Sequence, residues 1–146
     1  MVKIIFTFLV ILSLQTPVFA NGIYQTSKQF ISSSFNGESP KSKALWLSND
    51  DKVAISDIMS HEYNRLRVRY WQQENATVWV LEEIGKEQPI TIGVHIKDEQ
   101  VVDLKVLVYR ESRGDEVRHD FFTNQFKSAS LTKENMLNQR IDGITG

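Results

Sequence analysis

From Arg65 to Tyr109 apolar and polar residues alternate with a period of two, the signature of strands with one buried face. Leu66, Val68 and Tyr70 share one face of the first strand, and Arg65, Arg67 and Arg69 the other. Gln72 to Asn75 turns the chain, and Ala76 to Ile84 makes a second strand, with Thr77, Trp79 and Leu81 alternating against Val78 and Val80. After a turn at Gly85 to Pro89, Ile90, Ile92, Val94 and Ile96 line one face of a third. Asp98-Glu99 is a tight connection, and Val102, Leu104, Val106 and Val108 are expected along one face of a fourth. Short turns between successive strands predict an antiparallel meander over residues 65–110. The arginine face should look outward to water, and the apolar face needs a cover from the helices on either side.

Before the meander, Tyr24, Phe30, Ile31 and Phe35 fit a short amphipathic helix. Leu45-Trp46-Leu47 reads as an edge strand, and Asn49-Asp50-Asp51 opens a helix through Val53, Ile55, Ile58 and Met59. After the meander, Phe121, Phe122 and Phe126 have helical spacing. A last helix is predicted from Leu131, with Thr132 as N-cap, Glu134 in its first turn, Leu131 and Met136 as a staple, and Leu137 and Ile141 continuing the stripe. The fold class is therefore α+β: an antiparallel sheet of about four strands with flanking helices.

The first twenty residues change the picture of where the protein works. Lys3 precedes an apolar stretch from Ile4 to Leu14, and Val18-Phe19-Ala20 ends in a small residue suited to cleavage. The stretch is shorter than the ~20 residues of a spanning helix. Residues 1–20 therefore read as a signal peptide, residues 21–59 as an N-terminal helical and loop region, and residues 60–146 as the main domain. The 146-residue chain has 17 basic and 18 acidic residues, a balance that gives no reason to expect nucleic acid. It has no cysteine, so neither disulfides nor thiolate chemistry is available. His61, His95 and His119 lie far apart, without metal-ligand spacing.

Candidate chemistry gathers in two places. The loop Arg110-Glu111-Ser112-Arg113-Gly114 follows the fourth strand, with Arg118 a little further on. Arginine suits a phosphate, and Gly114 would let backbone approach a ligand. The acids Glu111, Asp115, Glu116 and Asp120 also allow a plain surface ion-pair web. The second place is Ile141-Asp142-Gly143-Ile144-Thr145-Gly146, where two glycines flank a hydroxyl in a turn suited to a phosphate. Trp46, Trp71, Trp79, Tyr70 and Tyr109 are candidates for stacking on a planar ring or for cross-strand pairing.

Asp142-Gly143-Ile144-Thr145-Gly146 resembles the start of the signature of FMN-binding domain proteins, which include flavin-carrying subunits of Rnf-type and Na⁺-translocating quinone reductase complexes. Ile92 to Asp98, Val106 to Gly114 and Phe122 to Phe126 look like the same family, so the likeness covers about residues 60 to 146. It implies FMN as cofactor, with Arg110, Arg113, Gly114, Asp142, Gly143, Thr145 and Gly146 at its site. It also implies a periplasmic location, possible association with the cytoplasmic membrane, a flavin transferase for maturation and a membrane redox partner. The role implied is an electron carrier rather than a self-sufficient enzyme. In the family the transferase esterifies the FMN phosphate to a threonine two positions beyond the residue matched by Gly146. Covalent attachment is therefore not expected in the chain as given, and a flavin-free extracytoplasmic binding or scaffold domain is the alternative. A flavin reductase is a further class, for which no substrate-specific residues stand out.

Overall fold

The computed structural model describes residues 22–144; the expected signal peptide, Thr145 and Gly146 lie outside them. The architecture is α+β, with an antiparallel sheet of six strands, not four, in the order β1-β6-β5-β4-β3-β2. The meander is present as β3 (Arg67–Gln73), β4 (Ala76–Ile84), β5 (Pro89–Lys97) and β6 (Gln100–Tyr109). Both additional strands come from the N-terminal region and form the two edges. β1 (Gly22–Ile23) pairs with Tyr109 and Val108 of β6, and β2 (Ser42–Trp46) pairs with β3.

Between them α1 (Ser27–Ser34) crosses over the sheet. Thr26 caps it through a reciprocal box: the Gln29 N–H donates to Thr26 Oγ1 at 3.2 Å and the Thr26 N–H to Gln29 Oε1 at 2.9 Å. Phe30, Ile31 and Phe35 pack on Val78 and Leu107 in the main core, flanked by Trp71, Ala76, Val80 and Val108. Gly93 lies in the same face and admits the Phe30 ring. The second helix, α2 (Asn49–Met59), starts where expected, capped by Ser48 and closed by Ser60 in the left-handed region, yet buries no residue.

The register separates the two sheet faces. Trp71 opposes Val78 and Val78 opposes His95, so these lie under α1 with Arg69, Val80 and Gly93. Tyr70, Trp79, Val94 and Leu104 form the matching row on the other face, beside Leu81, Ile92 and Val106. The alternation in β3, β4 and β5 thus matches expectation, but α1 covers the arginine face and not the more apolar one. On that second face Tyr70, Trp79, Leu81, Ile92, Val94, Ile96 and Leu104 are only half-buried.

Two further expectations are corrected. β6 is not a regular alternation, because register shifts opposite Thr91/Ile92 and His95/Ile96 insert extra residues. Val108 therefore opposes Thr91 on the α1 face, while Leu104 and Val106 oppose Val94 and Ile92 on the other. Nor is there a helix over 131–141. Leu131 and Leu137 form an antiparallel bridge, and Thr132 N–H bonds the Met136 carbonyl at 2.7 Å. Thr132 Oγ1 accepts from the N–H groups of Glu134 and Met136, so it caps a tight turn rather than a helix. Asn135 at φ 59° completes the reversal. The phenylalanine segment is one helical turn, α3 (Asp120–Thr123), between 3-10 turns at Asp115–Arg118 and Asn124–Phe126.

Candidate functional site

The loop after β6 is built back onto the sheet. Gly114 takes φ 82° and turns the chain, so that the buried Tyr109 hydroxyl donates to the Arg113 carbonyl. A Cβ on Gly114 would stand 2.9 Å from that hydroxyl oxygen, so close approach and backbone conformation both call for glycine. Burial, reinforced by Glu111 and other nearby acids, pushes the Tyr109 phenol up from its ordinary range and keeps it a donor.

Glu111 ties the loop to the β4–β5 turn. Its Oε1 accepts the N–H groups of Glu87 at 2.7 Å and Gln88 at 3.0 Å. These bonds, Glu87 first, hold the carboxyl below the usual range. Its negative charge is thereby committed to backbone donors.

The terminal segment is held by two glutamines. Gln125 meets the Asp142 backbone at both ends: Oε1 accepts its N–H at 2.8 Å and Nε2 donates to its carbonyl at 3.3 Å. The Gln139 amide donates to the carbonyls of Gln125 and Lys127. Beyond these tethers Ile144 faces the same cleft as the loop after β6.

The result is a cleft of about 630 Å³. Ile90, Tyr109, Val117 and Ile144 give it an apolar wall, and its charged lining is two cations, Lys86 and Arg113, with two acids, Glu87 and the backbone-bonded Glu111. Its size falls in the ~300–1,000 Å³ range of small-molecule sites. Arg113 and Gly114 line it, and the segment bearing Asp142 and Gly143 runs into it through Ile144. Asp142 and Gly143 are exposed, with Arg140 Nε 3.2 Å from the Asp142 carboxylate. Thr145 and Gly146 belong to the undescribed end.

Arg110 is placed elsewhere. Its guanidinium donates to the Pro89 carbonyl at 2.8 Å and to Thr91 Oγ1 at 3.0 Å, and stands 3.6 Å from Glu82. It locks β4, β5 and β6 together and does not line the cleft. Arg118 pairs with Asp115 at 3.2 Å and lies 4.5 Å over the Tyr24 ring. Lys86 and the two glutamine tethers were not singled out by the sequence pattern, and Ile90 was read there only as a sheet residue. Gln125 at least lies inside a stretch that carries the family likeness.

Among the described residues no group of His, Asp and Glu is gathered to hold a metal ion, and no helix is long and apolar enough to cross a membrane. No protein-family model matches the sequence, and neither a curated protein nor a solved structure is significantly similar to it.

Proposed function

We propose that this chain is an exported FMN-binding domain that serves electron transfer at a bacterial membrane, as a carrier rather than a self-sufficient enzyme. One observation supports this above the others. Arg113-Gly114 and Ile144, which belong to separate stretches of the family likeness, line one cleft. The residues present fit the cofactor's chemistry. Arg113 and Lys86 offer positive charge to a phosphate, the turn at Gly114 leaves backbone accessible, and Ile90, Val117 and Ile144 offer an apolar wall to a ring. Flavin, when bound, supplies the one- and two-electron transfer that side chains lack. The protein's part is to bind it, shield one side of it and present it to a membrane redox partner. A flavin transferase would act only on a form containing the complete signature.

The test has two arms. FMN and riboflavin are titrated against the chain with flavin fluorescence as readout. FMN is expected to bind about tenfold more tightly, and Arg113→Ala to bring it close to riboflavin. A form extended through Ala-Thr-x-Ser is then co-expressed with a flavin transferase and weighed intact. An extended form that gains no FMN mass, with no FMN preference in the first arm, defeats the proposal. That outcome would favour a flavin-free binding or scaffold domain, a reading supported by the half-buried apolar face of Trp79, Leu81, Ile92 and Val94.

A further inference from the structure

On the face that carries α1, the part of the sheet beside the helix holds two grooves, of about 310 and 580 Å³, which share Arg69 and Val80. Their lining is strongly unbalanced in charge. Lys28, Arg65, Arg67 and Arg69 border them on this face, against one acid, Glu82. That carboxylate is occupied: it accepts from Thr91 Oγ1 at 3.1 Å and stands 3.6 Å from the Arg110 guanidinium. The whole chain carries a formal charge of −1, so this concentration is local.

Arg65 donates to the Glu82 carbonyl at 3.2 Å, while Arg67 and Arg69 remain available. Among the described residues no carboxylate lies within salt-bridge distance of Arg67 or Arg69. Arg67 lies over the Trp46 ring at 5.3 Å, and both arginines are exposed. Two residues apart on one strand face, they stand about 7 Å apart along the backbone. Two planar guanidiniums at that spacing suit a phosphate or carboxylate taken from both sides. The first turn of α1 adds Lys28 and contains no acid to offset its positive end. The larger groove is floored by Ile31, Trp71 and Val80, a surface that water solvates poorly.

We propose that this groove binds an amphipathic anion, a phosphate or carboxylate head between Arg67 and Arg69 with an apolar tail along Ile31, Trp71 and Val80. The site lies on the opposite sheet face from Tyr109 and Ile90 and does not depend on the flavin reading. Its ligand is a free acidic amphiphile or the headgroup region of an anionic lipid, which share this chemistry.

The test is calorimetric titration of the chain with dodecyl phosphate below its micelle concentration, inorganic phosphate and a neutral dodecyl glycoside. Dodecyl phosphate should bind at least about tenfold more tightly than either of the others. The double change Arg67→Gln with Arg69→Gln should weaken it about tenfold or more, while Arg113→Ala leaves it unchanged. Ser39→Trp, at the exposed groove rim, should weaken it without altering charge. Equal affinity for inorganic phosphate, or wild-type binding by the double variant or by Ser39→Trp, overturns the proposal. Sedimentation with phosphatidylcholine vesicles, with and without phosphatidylglycerol, identifies the source. Arginine-dependent binding to the anionic vesicles assigns a lipid surface, and binding of the soluble amphiphile alone assigns a free ligand; either supports the site.

Discussion

Gly93 is the socket for Phe30. A Cβ at that position would come within 2.5 Å of two Phe30 ring carbons, and Phe30 is only 1% exposed, with nowhere to move. Gly93→Ala should therefore destabilise the fold by about 1–3 kcal/mol through overpacking. Urea melts measure it. A change below about 0.5 kcal/mol would mean that α1 shifts freely on the sheet.

His95 sits beside the same helix, with its ring 6.1 Å from that of Phe35 and Nε2 buried without a hydrogen-bond partner. Burial lowers its pKa from 6.5, Asp103 opposes that shift and Lys97 adds to it. The unfolded chain therefore takes up the proton first as pH falls. The stability associated with neutral His95 is complete above about pH 6.5 and is lost progressively toward its lower folded value. His95→Phe should remove that part of the pH dependence between neutral and mildly acid solution. Parallel stability-versus-pH curves for the two proteins would rule it out.

Gly114→Ala places a methyl group in the left-handed region and against the Tyr109 hydroxyl. The backbone conformation alone costs about 1–2 kcal/mol. If the hydroxyl is the obstacle, adding Tyr109→Phe to Gly114→Ala should cost less than the sum of the two single changes. Strict additivity in thermal melts would contradict the contact.

Gln125→Ala removes both side-chain bonds to the Asp142 backbone. Overall stability should fall by only about 1 kcal/mol, since the amide is partly solvated. Hydrogen exchange at the Asp142 N–H should accelerate about tenfold, and under the proposed function FMN affinity should fall with it. Unchanged exchange would show that Gln139 holds the segment alone.

The meander was legible because its turns and alternation agree. Asp98 and Glu99 both take positive φ, the conformation that a two-residue hairpin demands. Val102 and Val108 were misplaced because a bulge leaves no mark in a run of valines. The helix expected at Leu131 has the right apolar spacing, but Thr132 turns its hydroxyl to a local reversal, which the N-cap rule cannot distinguish from a helix start. β1 is too short for any periodicity. At the cleft, Arg113 and Gly114 stood out as residue types, while the engagement of Arg110 with Glu82, Thr91 and Pro89 depends on three strands that only the fold brings together.

β1 and β2 leave α1 in opposite directions to occupy the two edges of the sheet. β2 meets its neighbour β3 soon after synthesis, but Ile23 must wait for Val108 and Gly22 for Tyr109. The first strand of the sheet to be translated is thus among the last to find its place. Until β6 arrives, Phe30 and Ile31 have no Leu107 to pack on, and the chain carries an adhesive helix with half a sheet. Completion of the core has high contact order although most of the sheet is local. A chaperone that shields residues 22–35 during that interval should raise the yield of native protein more than one acting on the meander.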